Sequence, residues 1–188
     1  MPLKELTLPV LKLPRKVEND PRHEALEKLL AQNLLPLWEK STIKVPHIEF
    51  QPPLEDVLIR ALNLKQLERG LEHIDQILDA EKKGLVALQQ KQKTAPANRI
   101  SRLLIIANDG TERFYRACES TLLRHSDRLL CLHVQAPSAR IARNILGEDQ
   151  LVKALLVSDR EAVAQVLLSL VSDPSMNLPK IGQTKINN

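Results

Sequence analysis

The sequence predicts an α/β fold: a three-layer α-β-α sandwich around a mixed or parallel sheet of about four strands, preceded by an extended and helical N-terminal extension. Three observations predict it. The first is a set of short, nearly continuous apolar runs, RLLIIA (102–107), RLLCLHV (128–134) and VKALLVS (152–158), of the kind that form strands covered on both faces. The second is that single amphipathic helices separate these runs, which implies helices on both faces of one sheet. The third is composition. Hydrophobic residues make up 43% of the 188 and charged residues 27%, with one Trp, one Tyr and two Phe. A core is therefore within reach, and it must be aliphatic.

The elements follow in order. Residues 1–22 carry Pro2, Pro9, Pro14 and Pro21, and proline blocks helix continuation, so an extended arm is expected. RHEALEKLLAQNLLPLWEK (22–40) has leucines at three- and four-residue spacing and predicts a helix that Pro36 ends near Leu35. STIKVPHIEFQPP fits either one short strand or a plain connector. Residues 54–78 predict a single long amphipathic helix with Glu55 and Asp56 in its favourable first turn. It continues to about Gln90 or breaks near Gly84. Polar QQKQKTAPAN then predicts an exposed loop.

In the second half, Thr111 is the expected N-cap of a helix from about Glu112 to Arg124. Pro137 and Ser138 open a short helix, ARIARNIL, which Gly147 closes. Asp159 caps the last helix. The expected organisation is an N-terminal extension with one helix (1–50), an α/β domain (54–171) with an inserted loop at about 84–99, and a flexible tail (172–188).

Several function classes lack their motifs. The five glycines form neither GxGxxG nor GxxxxGK[ST], and GxSxG and HExxH are missing. Ser158-Asp159 with His125 or His133 has no spacing that supports a triad. The five histidines read as structural or surface residues, and a cationic His125 at a helix end would suit the dipole. Cys118 and Cys131 read as small buried hydrophobes rather than a disulfide or metal pair. No metal and no cofactor is expected. No apolar run reaches membrane-spanning length, and no membrane partner is expected. Asp109, in Asn108-Asp109-Gly110-Thr111 at a strand end, is open to two readings: a base or metal ligand of a small hydrolase or signalling domain, or a turn residue. The net charge is +4, mildly basic. Arg99, Arg102, Arg113, Arg116, Arg124, Arg128, Arg140 and Arg143 read either as phosphate contacts or as a solvated charged face.

The order helix, strand, helix, strand, short helix, strand, helix over 54–171 resembles the kink-turn RNA-binding superfamily. The residues that carry the likeness are LIRALNLKQLERGLEHI, LLIIANDGTERFYRACESTLLR, SARIARNIL and VKALLVSDREAVAQVLLSL. That family holds an archaeal large-subunit ribosomal protein, the small core proteins of nucleolar guide-RNA particles, and one subunit of RNase P and RNase MRP. Its helix-opening Gly-x-Asn-Glu falls on Ala61, Asn63 and Leu64, so the Asn matches while the Gly and the Glu do not. Roughly thirty inserted residues separate helix and strand, where the family has a short turn. The chain is most similar to the divergent fungal RNase P/MRP branch, which has a weak motif, a long insertion and an N-terminal extension.

The resemblance implies a non-catalytic RNA-binding subunit of a ribonucleoprotein that processes tRNA or rRNA. RNA contact would fall on Asn63, Lys65, Arg69 and Arg140 and on the loop at Val157 and Ser158. It further implies structured RNA as one partner, other protein subunits held through the N-terminal extension, and a nuclear or nucleolar location, with a cytoplasmic one as the alternative. A second reading keeps the fold as a protein-interaction module with a degenerate RNA site.

Overall fold

The computed structural model describes residues 11–92 and 98–171. The expected arm over 1–10, the middle of the expected loop (93–97) and the tail (172–188) lie outside the described residues.

Proline, cap and apolar periodicity set the local elements. Helices α1 (Arg15–Glu18) and α2 (His23–Gln32) come first, then strands β1 (Leu34–Pro36) and β2 (Lys44–Ile48). Helix α3 (Pro52–Asn63) starts on two prolines, whose fixed φ suits a first turn. Strand β3 (Leu67–Arg69), helix α4 (Leu71–Gln92) and strand β4 (Arg102–Ile106) follow. Helix α5 (Glu112–Arg124) is capped by Thr111, whose hydroxyl accepts from the Phe114 N–H. Strand β5 (Leu129–Val134) leads into helix α6 (Ser138–Ile141), a π-helical turn (Ala142–Leu146) and Gly147 at φ 66°. Strand β6 (Ala154–Val157) and helix α7 (Arg160–Ser169) complete the chain. Asp159 accepts from the N–H groups of Glu161 and Ala162 at the head of α7.

The six strands form one mixed sheet in the order β1-β2-β5-β4-β6-β3. β5 runs parallel to both β4 and β2, while β6 runs antiparallel to β4, with Ile106 opposite Ala154 and Leu103 opposite Val157. The connection, helical only over residues 138–146, does not cross back along the sheet, and β6 starts at the end where β5 finished. One face of the sheet, with Leu103, Ile105, Leu132, Val134 and Leu155, packs on Leu54, Val57, Leu58 and Ala61 of α3, on α7, and on Val17 and Leu26. The other, with Leu104, Ile106, Cys131 and Leu156, packs on Ile74 and Leu78 of α4 and Cys118 and Leu122 of α5. The layers are helix, sheet, helix, and both cores are aliphatic.

The sheet has six strands where about four were expected; β1 at one edge and β3 at the other are the additions. Residues 34–48 form the β1–β2 hairpin: Leu34–Pro36 is a strand where a helix end was expected, and of the two readings of STIKVPHIEFQPP the short strand holds, because β2 pairs with β5 through His47 and His133. The extension is therefore not an appendage: Leu13, Val17 and Leu26 are core residues. Lys12 bridges Arg99 in parallel, and the Arg99 guanidinium donates to the Leu13 carbonyl. The single helix expected over 54–78 is two helices. It breaks after Asn63, Lys65 takes a left-handed φ of 57°, and β3 intervenes because Leu67, Glu68 and Arg69 find partners on β6. The loop expected at 84–99 is helical through Gln92. Among the described residues, no helix is long and apolar enough to cross a membrane.

Candidate nucleic-acid interface

The break between α3 and β3 builds a surface turn. Leu64 N–H donates to the Arg60 carbonyl, Lys65 N–H to Leu62 and Gln66 N–H to Ala61. The last two bonds are the paired closure of a helix that normally places glycine in the left-handed position. Here that position holds Lys65. A left-handed lysine costs about 1 kcal/mol or more against glycine, so the turn gives up stability and presents a cation at its apex. The turn is pinned from β6: Ser158 donates both its N–H (2.9 Å) and its hydroxyl (3.2 Å) to the Gln66 carbonyl.

Asn63, Leu64 and Lys65 are exposed on this turn, Leu64 at 67%. Arg60, one turn back on α3, and Arg160, in the first turn of α7, are exposed as well. Among the described residues Lys65, Arg60 and Arg160 have no ion-pair partner, whereas Arg69 pairs with Glu148 at 2.7 Å. The turn thus presents one uncompensated cation, Lys65, one exposed amide and one exposed leucine, with Arg60 five residues before Lys65 on α3 and Arg160 two residues past the Ser158 that pins the turn. Sequence reasoning missed Arg60 and Arg160. A signal existed for Arg160, because a cation in a helix's first turn opposes the macrodipole.

The other expected contacts lie elsewhere. Arg69 faces a cavity of about 530 Å³ floored by Leu62, Leu67, Leu146 and Leu155, with Glu68 and Glu148 on its rim; that rim repels phosphate. Arg140 lies at the opposite end of α3, where it donates to the Phe50 carbonyl and to Glu55 and covers the Phe50 ring. Val157 is fully buried between Leu103 and Leu67. It cannot meet a ligand in this conformation. Of the six expected contacts the fold brings together Asn63, Lys65 and Ser158.

At the sheet's other end, the carboxyl ends of β2, β4 and β5 meet where open α/β sheets hold ligands. Asp109 is committed there as a turn residue. Its two oxygens accept from the Ser138 N–H (2.9 Å) and hydroxyl (2.7 Å). Tyr115 donates from its hydroxyl to the Ala107 carbonyl and accepts from Gly110 N–H, closing the same turn. A Cβ on Gly110 would lie 2.4 Å from the Phe114 ring, so only glycine fits.

Beside this turn His47 and His133 stack with centroids 4.1 Å apart, and the Gln135 amide donates to both Nδ1 atoms. Burial, then the neighbouring His47, push His133 down to about 4. Burial also lowers His47, against the pull of the Pro36 carbonyl. Both rings thus favour the neutral form, and His47 Nε2 is buried without a hydrogen-bond partner among the described residues. His125 ends α5, as expected, and is fully buried with Nε2 3.1 Å from Asp79; burial followed by Arg128 lowers it, so the cationic form that would suit the dipole is disfavoured. Cys118 and Cys131 are free and buried, with burial pushing Cys118 up to about 12. Among the described residues no three His, Cys, Asp or Glu are grouped to hold a metal ion. Ser158, Asp159, His125 and His133 do not assemble: Ser158 is bound to Gln66 and Asp159 to the head of α7.

No protein-family model matches the chain, and no curated protein sequence matches it.

Proposed function

We propose that this chain is a non-catalytic, RNA-binding structural subunit of a ribonucleoprotein, of the RNase P or RNase MRP type that processes tRNA or rRNA. The observation that carries the reading is the strained Lys65 turn, with Arg60 before it on α3 and Arg160 two residues past Ser158. Exposed cations that lack carboxylate partners among the described residues favour a polyanion. Asn63 supplies an amide able to meet a base edge or a phosphate. The sequence resemblance points to the same turn, and it supplies the particle type and its nuclear or nucleolar setting. Leu64 stands where the family has a carboxylate that accepts hydrogen bonds from guanines, so backbone contact dominates and kink-specific readout is weak.

The test is a gel-shift series on the full chain, with a kink-turn RNA and a plain RNA duplex over a range of salt. Lys65→Ala with Arg160→Ala weakens binding to both RNAs alike and flattens the dependence of log K on log salt by about one unit per residue. Asn63→Ala costs little. Salt-insensitive binding, or no binding to either RNA, overturns the reading. So does loss on Asn63→Ala of the kink-turn RNA alone, with the basic pair dispensable.

A further inference from the structure

Helix α4 carries apolar residues at heptad positions, Leu71, Ile74 and Leu78, then Leu85 and Leu88, with Glu81 at the seam position between the two groups. This is the seam of a helix that packs along its whole length. Among the described residues its first half is what packs on the core. Ile74 and Leu78 are fully buried against the sheet, Glu81 takes the guanidinium groups of Arg102 and Arg128, and Lys82 donates to the Arg124 carbonyl at 2.5 Å. Beyond Lys82, α4 makes no hydrogen bond or ion pair with another element among the described residues. Gly84 has no heavy atom within 4 Å of where its Cβ would be. Val86 is 44% and Leu88 52% exposed. Residues 83–92 therefore continue for about 15 Å past the sheet as helix, with Leu85 half-buried, Val86 and Leu88 exposed, and no core packing among the described residues.

We propose that this projecting half of α4 is a docking surface for another protein, specifically a helix whose apolar stripe meets Leu85 and Leu88 and whose flanks are acidic. Charge selects the occupant. From 82 to 92 the chain reads KKGLVALQQKQ, with Lys82, Lys83 and Lys91 and no acid. Elsewhere on the described surface arginines and carboxylates are largely paired, as in Arg69–Glu148, Arg116–Glu112 and Arg124–Asp79. A second copy would set lysine against lysine. RNA would gain nothing from Leu85 and Leu88, which recur at protein-packing spacing. The patch is small beside a stable interface of standard size, so it serves as one contact in a larger assembly. The inference uses a different element from the Lys65 turn and stands without the RNA reading.

The test places a photo-crosslinking amino acid at Leu88 of the full chain in its native cells and sequences the crosslinked peptide. The expected product is a protein segment with apolar residues three and four apart and net negative charge. Its yield falls about tenfold, as for loss of one anchor contact, in Leu85→Asp, and it falls also in Lys83→Glu with Lys91→Glu. Melting temperature is unchanged in Lys83→Glu with Lys91→Glu, both at exposed sites, so its loss of yield reports docking rather than folding. Crosslinks to this chain's own 1–10 or 172–188, to a second copy, to RNA or to lipid overturn the proposal. So does the lack of any crosslink, or a yield that Leu85→Asp leaves intact.

Discussion

Lys65 stands where helix closure favours glycine, and its φ of 57° is the one positive value among the non-glycine residues described. Lys65→Gly should raise stability by up to about 1 kcal/mol, because glycine enters the left-handed region without the Cβ clash. The same change should weaken RNA binding and remove about one unit of salt slope. Urea denaturation and gel-shift together check this; a loss of stability would show that Lys65 is held by packing rather than strained. A second residue-scale effect is set by histidine. His47, His125 and His133 are all lowered from their ordinary value, chiefly by burial. A histidine depressed in the folded state stays neutral while the unfolded chain takes up protons, so its stability contribution is present above about pH 6.5 and is lost as pH falls through its folded value, about 4 for His133. The unfolding free energy from urea denaturation should fall below about pH 6.5, by at most about 1.4 kcal/mol per pH unit per histidine. His133→Phe should flatten the fall. Equal slopes in the two proteins would exclude the stacked pair, with its Gln135 and Tyr115 neighbours, as a source.

Caps and breaks decide the elements. Asp159 accepts two N–H groups at the head of α7, whose Val163, Val166 and Leu167 are core residues. Asp159→Ala should cost about 1 kcal/mol, the usual loss for an N-cap. A change within error would show that Ser158 alone fixes the start of α7. The α3–α4 break shows the opposite situation, because no proline or glycine marks it at 63–66. Leu64 continues the apolar pattern yet is exposed, since the helix stops one residue earlier. Only the pairing of β3 with β6 rewards the interruption.

At the scale of the whole molecule the N-terminal residues belong to the same cooperative unit as the α/β core. Leu26 is fully buried in the cluster that holds Leu103, Leu132 and Val163. Leu26→Ala should therefore destabilise the entire chain by about 2–5 kcal/mol, the range for a buried leucine, in a single transition followed by circular dichroism. A separate early transition, with the main one unmoved, would show an independent extension. For the same reason deletion of 1–22 removes Leu13 and Val17 from the core, and loss of a partner on that deletion would report unfolding rather than docking. The projecting half of α4 provides a cleaner probe of partners, because changing Leu85 or Leu88 leaves the core intact.

By itself the sequence determined what short-range physics governs. The strands β4, β5 and β6 are legible as apolar runs, and the starts of α5 and α7 are legible as Thr111 and Asp159 caps. The aliphatic character of both cores follows from the scarcity of aromatic residues. Asn63 and Lys65 were candidates through the family resemblance alone, whose motif falls on that one continuous stretch. The tertiary structure decided the rest. β1 and β2 are strands because β5 offers His133 and Val134 as partners. β3 exists because β6 has a free edge, Val157 is buried by strands on both sides, and Arg69 and Arg140 are neutralised by Glu148 and Glu55, which are distant in sequence. Arg160 comes near the Lys65 turn only through Ser158, which bonds to the Gln66 carbonyl. Sheet edges and charge compensation depend on which residues meet across tens of positions, and neither periodicity nor propensity records that.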